Sequence, residues 1–269
     1  MMKESATFWH APDIGDLELL KATYISHTFS RHTHQGYVIG MIERGAEVFY
    51  YRGETHIALP GDVVVINPDE VHTGHSRDKL GWTYRMLYPT IQTLKMVADA
   101  MADRPVEMPW FPQAVIKDRP LAVKIRQLHM LLERSKSQLA RQVNYYDVMG
   151  ELIRTRAGNA PAVKTQGFER QAVKKARQLI NDTLSENISL ETISDHVGLS
   201  PFYFTRIFGQ HTGLPPHAYR KQQRIQRAKQ LLRARMPISQ VAIETGFADQ
   251  SHLTRHFKQI VGVTPGQYK

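Results

Sequence analysis

The sequence predicts an α+β chain: an antiparallel β-barrel or sandwich first, then a pair of helices, then an all-α domain with two helix-turn-helix units. Three observations predict it. Short apolar and β-branched runs alternate with turn residues between about Leu17 and Tyr88. From about Leu121 the hydrophobic period becomes that of helices. Finally, one residue pattern occurs twice in roughly the last eighty residues.

In the first region, runs beginning at Tyr37, Glu47, Thr55 and Asp62 are bounded by Arg44-Gly45, Arg52-Gly53-Glu54, Pro60-Gly61 and Asn67-Pro68-Asp69. That regular spacing fits an antiparallel sheet structure. Leu121, Ile125, Leu128, Leu132 and Leu139 then fall at three-, four- and seven-residue steps, giving one helix with an apolar stripe. Val143, Tyr146, Leu152 and Ile153 lie roughly on one side of a second helix. The stretch from Ala157 to Gly167 is small and polar with a proline, the composition of an interdomain linker. The expected divisions are 1–118 for the barrel, 119–156 for the helical segment, 157–167 for the linker and 168–269 for the helical domain.

The repeat is the strongest signal. Its first copy holds Ile193, Gly198, Leu199, Arg206, Phe208, Gly213, Pro216 and Tyr219. Its second holds Val241, Gly246, Phe247, Arg255, Phe257, Gly262, Pro265 and Tyr268. The first three pairs are 48 residues apart and the other five 49, so the second turn carries one extra residue. Each copy has a short helix, a Gly-centred turn and a second amphipathic helix. Ser189 can cap a helix ending at Val197, where Gly198 supplies the left-handed turn. Ser200 caps the next helix with Pro201 in its first position, and Phe204, Ile207 and Phe208 form its inner stripe. Ahead of the repeat, 169–184 is amphipathic, with Val173, Ala176, Leu179 and Ile180 inward. Between the copies a helix from about Ala218 to Arg233 would be ~24 Å long. Pro237 starts the second unit, and Asp249 caps its last long helix, with Leu253, Phe257 and Ile260 inward.

Charge points to a partner. Of the net +10, residues 164–269 carry 16 Lys/Arg against 7 Asp/Glu, a net of +9, while 1–163 carry 19 against 18. An excess concentrated on the repeated helical units favours a polyanion there. With no cysteine, disulfides, thiolate zinc sites and cysteine nucleophiles are excluded. Met1 to His10 lacks the apolar run of a signal peptide, and no stretch of ~18 apolar residues could cross a membrane. The expected compartment is the cytosol, with no membrane partner.

With the inner stripes buried, Phe202, Thr205, Arg206 and Gln210 fall on or beside the opposite face. Gln250, Ser251, Thr254, Arg255 and Lys258 correspond in the second unit. Arginine suits guanine, glutamine adenine, hydroxyls either, and an aromatic ring a thymine methyl. The connecting rod would hold the two helices roughly one DNA turn, ~34 Å, apart. Arg206 and Arg255 could instead pair with acids of their own units, and Phe202 could be an ordinary half-buried aromatic. Arg220, Lys221, Arg224, Arg227 and Lys229 would contact phosphate or lie on a solvated face. His252 and His256 are expected on the surface.

These residues resemble the AraC-type bacterial transcriptional regulators. The match lies in Gly198-Leu-Ser-Pro-Phe-Tyr-Phe-Thr-Arg-Ile-Phe208, Gly213-Leu-Pro-Pro-His-Ala-Tyr219, Gly246-Phe-Ala-Asp-Gln-Ser-His-Leu-Thr-Arg-His-Phe257 and Gly262-Val-Thr-Pro-Gly-Gln-Tyr268. The resemblance implies a seven-helix DNA-binding domain whose base contacts come from Phe202, Thr205, Arg206, Gln250, Ser251, Thr254 and Arg255. Phe202 departs from the pattern, since it cannot donate a hydrogen bond. The N-terminal half is similar to the family's sensor domain, a cupin-like barrel, through His32-Thr-His34, Pro60-Gly-Asp62, Asn67-Pro68 and His72. Such a barrel would bind a small-molecule effector, with His32, His34, Tyr37, His72 and Trp82 as candidates. Tyr37, Trp82 and Tyr84 could equally be core residues. The following helices would form a homodimer through Leu121, Ile125, Leu128 and Leu132, although the same stripe could pack on the barrel.

The implied function is a sequence-specific regulator, expected to be an activator, with promoter DNA, an effector and RNA polymerase as partners and a nucleoid location. Effector binding would change how the helices, or the arm before Pro12, contact the linker and the DNA-binding domain. The alternative is a cupin metalloenzyme carrying a helical nucleic-acid or partner domain, because His32, His34 and His72 could close a zinc or iron site. Metal-binding cupins usually add Glu four or five residues after the second His, where Val38 and Ile39 stand here. A His-lined ligand pocket or hydrogen-bonded core histidines are therefore expected, with no metal or other cofactor and no catalytic residues. A DNA-repair role is excluded for want of a cysteine acceptor.

Overall fold

The computed structural model describes residues 3–162 and 169–268. Val163 to Gly167 of the expected linker lie outside them. The chain divides into two compact units. One is built from the strands, the first two long helices and most of the third; the other takes the remaining helices together with Ser137–Val143.

The first unit contains β1 (Ser5–Ala11), β2 (Leu17–Tyr24), β3 (Thr28–His32), β4 (Val38–Gly45), β5 (Glu47–Tyr51), β6 (Glu54–Ala58), β7 (Val63–Ile66), β8 (His72–Ser76), β9 (Trp82–Tyr88) and the short β10 (Val115–Ile116). They form a six-stranded sheet ordered β1-β2-β9-β4-β7-β10 and a four-stranded sheet ordered β3-β8-β5-β6. All described pairings are antiparallel. Arg52 and Gly53 both have positive φ and join β5 to β6 by a two-residue turn, the backbone twist such hairpins require. The core between the sheets holds Leu20, Val38, Phe49, Tyr51, Val64, Ile66, Trp82, Tyr84 and Met86. The opposite parity of β7 and β9 is also buried, which is why β7 reads as a continuous apolar run, while β9 covers Thr83 and Arg85 on that face. The expected N-terminal arm is strand β1, paired with β2 from Ser5↔Thr23 to Ala11↔Leu17.

The helices differ in detail from expectation. A helix absent from the sequence reading, α1 (Ile91–Ala102), starts at Thr90, whose hydroxyl caps Thr93 N–H, and buries Leu94, Val97, Ala98 and Met101. The predicted long helix stops early. α2 (Arg119–Arg134) ends as Ser135 turns extended, so Leu139 falls in α3 (Gln138–Arg156). α2 lies against β4 and β9, and Leu121, Ile125, Leu128 and Leu132 are each at most 2% exposed. The stripe offered as a dimer seam is thus covered within its own chain. Arg85, buried on β9, fixes this docking by donating to Glu43 at 2.9 Å and His129 Nδ1 at 3.0 Å, while Arg126 of α2 donates to the same Glu43 at 2.7 Å. The opening of the expected linker is also tied down: Gly158 N–H donates to Trp110 O, and Asn159 Nδ2 donates to Met108 O.

In the second unit the described residues form α4 (Arg170–Asp182), α5 (Leu190–Val197), α6 (Pro201–Thr212), α7 (Pro216–Arg233), α8 (Ile238–Glu244), α9 (Gln250–Val261) and α10 (Pro265–Tyr268). Both helix-turn-helix units are present, α5–α6 and α8–α9. Gly198 and Gly246 take left-handed conformations at φ 68° and 73°. The inserted residue is Ala248, which puts the Asp249 cap three positions after its glycine where Ser200 is two after Gly198. The duplication extends to packing. Phe208 meets Tyr219 edge-to-face at 5.3 Å, and Phe257 meets Tyr268 edge-to-face at 5.3 Å. α7 serves both cores, through Tyr219 at its start and Ile225, Ala228 and Leu232 further along.

Candidate nucleic-acid interface and effector pocket

α6 is capped by Ser200, whose hydroxyl accepts from Tyr203 N–H, and it buries Tyr203, Phe204, Ile207 and Phe208. That leaves Arg206 and Gln210 exposed and Phe202 and Thr205 half-buried. Thr205 Oγ1 donates to Pro201 O at 2.9 Å, so the residue offers an outside partner its acceptor lone pair and its methyl group. α9 is capped by Asp249, which accepts from His252 N–H at 2.7 Å, and it buries Leu253 and Phe257. Gln250, Ser251, Arg255 and Lys258 are exposed, and Thr254 is half-buried. All seven residues expected to touch bases therefore lie on or beside two equivalent helix faces. Among the described residues neither Arg206 nor Arg255 has an ion-pair partner. Ile260, expected inward, is 42% exposed; it sits in the last turn beyond the packed cluster, where Val261 takes the inner place.

The basic residues of α7 split into two groups. Arg220 is 3% exposed and donates to the carbonyls of Thr183, Leu184 and Glu186, while Arg224 donates to Leu184 O at 2.6 Å and Glu186 O at 3.1 Å. Both tie off the carbonyls after α4 and are not free for phosphate. Lys221 lies near Arg255; burial first, and that second cation next, hold its ammonium below the ordinary lysine range. His256 is pushed down to about 4 by burial and by Lys221, and His252 is lowered by burial and Arg255. Lys221 and Arg255 are thus neighbouring cations, beside the lowered imidazoles of His252 and His256.

A cavity of about 70 Å³ opens between the two sheets, lined by Phe29, His32, His34, Glu47, Tyr84 and Tyr88 among others. His32 and His72 are direct register partners on β3 and β8, with ring centroids 4.3 Å apart. His34 lies past the end of β3 rather than on it, yet its ring is 5.0 Å from His32 and 5.2 Å from His72. Burial, then the neighbouring imidazoles, push His34 down to about 4, so the ring is neutral at pH 7. Two other effector candidates are placed elsewhere. Tyr37 is fully buried and donates to Pro109 O at 2.6 Å; Trp82 is fully buried in the core against Tyr24 and Tyr84. The pocket residue missed from sequence is Glu47. It is 8% exposed, its Oε2 has no partner, and burial pushes its carboxyl up to about 8. Its signal was strand parity, because Glu47 shares the inward face of β5 with Phe49 and Tyr51.

The geometry agrees with what comparisons find. Residues 14–149 match the model of the AraC-like ligand binding domain, and residues 193–269 match a helix-turn-helix domain. The chain is 28% identical over 253 residues to the uncharacterized HTH-type transcriptional regulator YbfI of Bacillus subtilis, covering 94% of this chain and 91% of that one. It is 25% identical over 247 residues to the HTH-type transcriptional activator RhaS of Escherichia fergusonii, covering 90% and 87%. Among solved structures, an AraC-type DNA-binding-domain regulator from Chromobacterium violaceum matches 37% of this chain and 89% of that chain at 27% identity, with a TM-score of 0.36. No described helix is long and apolar enough to cross a membrane.

Proposed function

The chain belongs to the AraC family of transcriptional regulators, and on that premise we propose that it reads promoter DNA with α6 and α9 under the control of a small molecule held between the sheets of its first unit. Arg206 and Arg255 read guanine, Gln250 reads adenine, and Ser251, Thr205 and Thr254 make supporting contacts to bases or phosphates. Phe202 packs against a thymine methyl. α7, 18 residues and ~27 Å long, spaces the two reading helices for successive major-groove segments on one side of the duplex. The observation that carries this reading is the pair of equivalent faces: Arg206 and Arg255 stand exposed, with no ion-pair partner among the described residues, while Phe204, Phe208, Leu253 and Phe257 are fully buried.

The protein acts in the cytoplasm, on the nucleoid, as a homodimer that touches RNA polymerase, and it activates transcription, the one property that the name of its RhaS relative states of that protein. Because the α2 stripe is already covered, the dimer uses another surface. Effector binding changes operator affinity by a coupling of ~1–3 kcal/mol. The test is to select bound duplexes from a random library, then measure affinity for the selected operator against salt by fluorescence anisotropy. A selected consensus with two guanine-containing blocks, and affinity falling steeply with salt, supports the reading. No enriched sequence, or affinity indifferent to salt, refutes it.

A further inference from the structure

The cavity between the sheets gathers three imidazoles and one carboxyl, and no lysine or arginine lines it. One ring nitrogen from each of His32, His34 and His72 lies within 4.8 Å of the other two. Two of these rings are held in a defined tautomer. Nδ1 of His32 bonds Ser30 O at 2.8 Å, and Nδ1 of His72 bonds Glu70 O at 3.1 Å. A carbonyl only accepts, so each Nδ1 carries the hydrogen and each Nε2 keeps its lone pair. A backbone carbonyl holding one ring nitrogen, with the other left to ligate, is the outer-shell arrangement that orients imidazoles toward a metal.

We propose that His32, His34 and His72 bind one divalent transition-metal ion of the zinc or cobalt type, and that this ion forms part of the effector site. Three neutral nitrogen donors suit such borderline ions, whereas calcium and magnesium require oxygen. A carboxylate at the position after His34, where Val38 and Ile39 stand, is not needed for an all-imidazole set. Three protein ligands leave a coordination position open for water or for an oxygen or nitrogen donor of the effector. Glu47, whose Oε2 is buried without a partner, is the acidic group in the same cavity that accepts a hydrogen bond from that water or donor. The inference rests on reading this cavity as the sensor pocket, but metal binding is measured without effector or DNA.

The untagged full-length chain, stripped with chelator, is titrated with Co²⁺ and followed by its visible ligand-field bands, then back-titrated with Zn²⁺. One Co²⁺ per chain, displaced by one Zn²⁺, is expected. His34→Ala and His72→Ala lower Co²⁺ affinity by more than the ~10–100-fold that loss of an outer-shell partner costs. A His252→Ala/His256→Ala double variant, altering the adjacent pair in the other unit, binds Co²⁺ as wild type does. His34 lies outside the strands, so its variant decides alone should His72→Ala fail to fold. Equal Co²⁺ affinity in wild type and His34→Ala overturns the proposal, as does loss of the bound ion in the His252/His256 variant instead. A chain that binds operator but not cobalt keeps the regulator and loses the metal site; one that binds cobalt but not DNA does the reverse.

Discussion

The guanidinium of Arg224 stands where a β-carbon on Gly246 would have to go. A Cβ there would lie 2.6 Å from Arg224 Nη2 and 2.7 Å from Leu184 O, the carbonyl to which Arg224 Nε donates. The turn of the second helix-turn-helix unit is thereby closed against the end of α4. Gly198, its equivalent in the first unit, has the same left-handed backbone but open space around it.

Gly198→Ala therefore carries only the left-handed backbone cost, ~1–2 kcal/mol. Gly246→Ala carries that cost plus a clash with the Leu184 carbonyl, which cannot swing aside as the arginine end can. Denaturant unfolding of the two variants should rank Gly246→Ala clearly the less stable. Equal losses would show that the turn is looser than described.

Arg220→Met is expected to act on stability before it acts on DNA. Removing the guanidinium takes one donor each from Thr183 O and Glu186 O, which keep Glu186 N–H and Arg224 Nη2 respectively, at ~0.5–1.5 kcal/mol for each hydrogen bond lost. The melting temperature should fall, while the slope of log affinity against log salt stays that of wild type. A flatter slope with unchanged melting would return Arg220 to the phosphate contacts.

Much of the second unit was legible in the sequence because its determinants are local. Ser200, Asp249, Gly198 and Gly246 act within a few residues of themselves, and the one-residue offset of the repeat placed an extra residue in the second turn, which the structure identifies as Ala248. Arg220 and Arg224 were misplaced because their partners lie 34 to 40 residues earlier in the chain, beyond the reach of periodicity. In the first unit, His32 and His72 come together through strand register, and His34 through the loop after β3. Glu47 shows the opposite failure: its parity with Phe49 and Tyr51 was readable, but a charged residue on an inward face was passed over. α1 had its cap in Thr90 and its period in Leu94, Val97, Ala98 and Met101, and was overlooked among strands.

Leu128→Ala should destabilise the fold of each chain rather than its dimer. The side chain is 1% exposed where α2 meets the sheet, so truncation leaves a cavity worth ~2–5 kcal/mol. Unfolding midpoints should drop at every protein concentration, with no selective loss of dimer in sedimentation. A dissociated but equally stable protomer would restore the stripe as the seam.

Glu47 should make the metal-free protein less stable as pH rises. Its carboxyl ordinarily titrates at 4.5 and in the fold at about 8, so the folded state holds the extra proton between those values. Its contribution is fully present below pH 4.5, falls through the window and is gone above pH 8. Glu47→Gln cannot ionise, so its melting temperature should gain on wild type from pH 5 to pH 8. Parallel melting curves across that range would mean that Glu47 is solvated or paired.

The most direct measurement compares base preference for Arg206→Ala and Arg255→Ala on a selected operator scanned one base pair at a time. Two relaxed guanine positions are expected, one for each variant, roughly one DNA turn apart, each costing ~1–3 kcal/mol of discrimination with unfolding stability unchanged. Variants that keep wild-type affinity and wild-type preference at every position would contradict the account that two equivalent helices read the duplex.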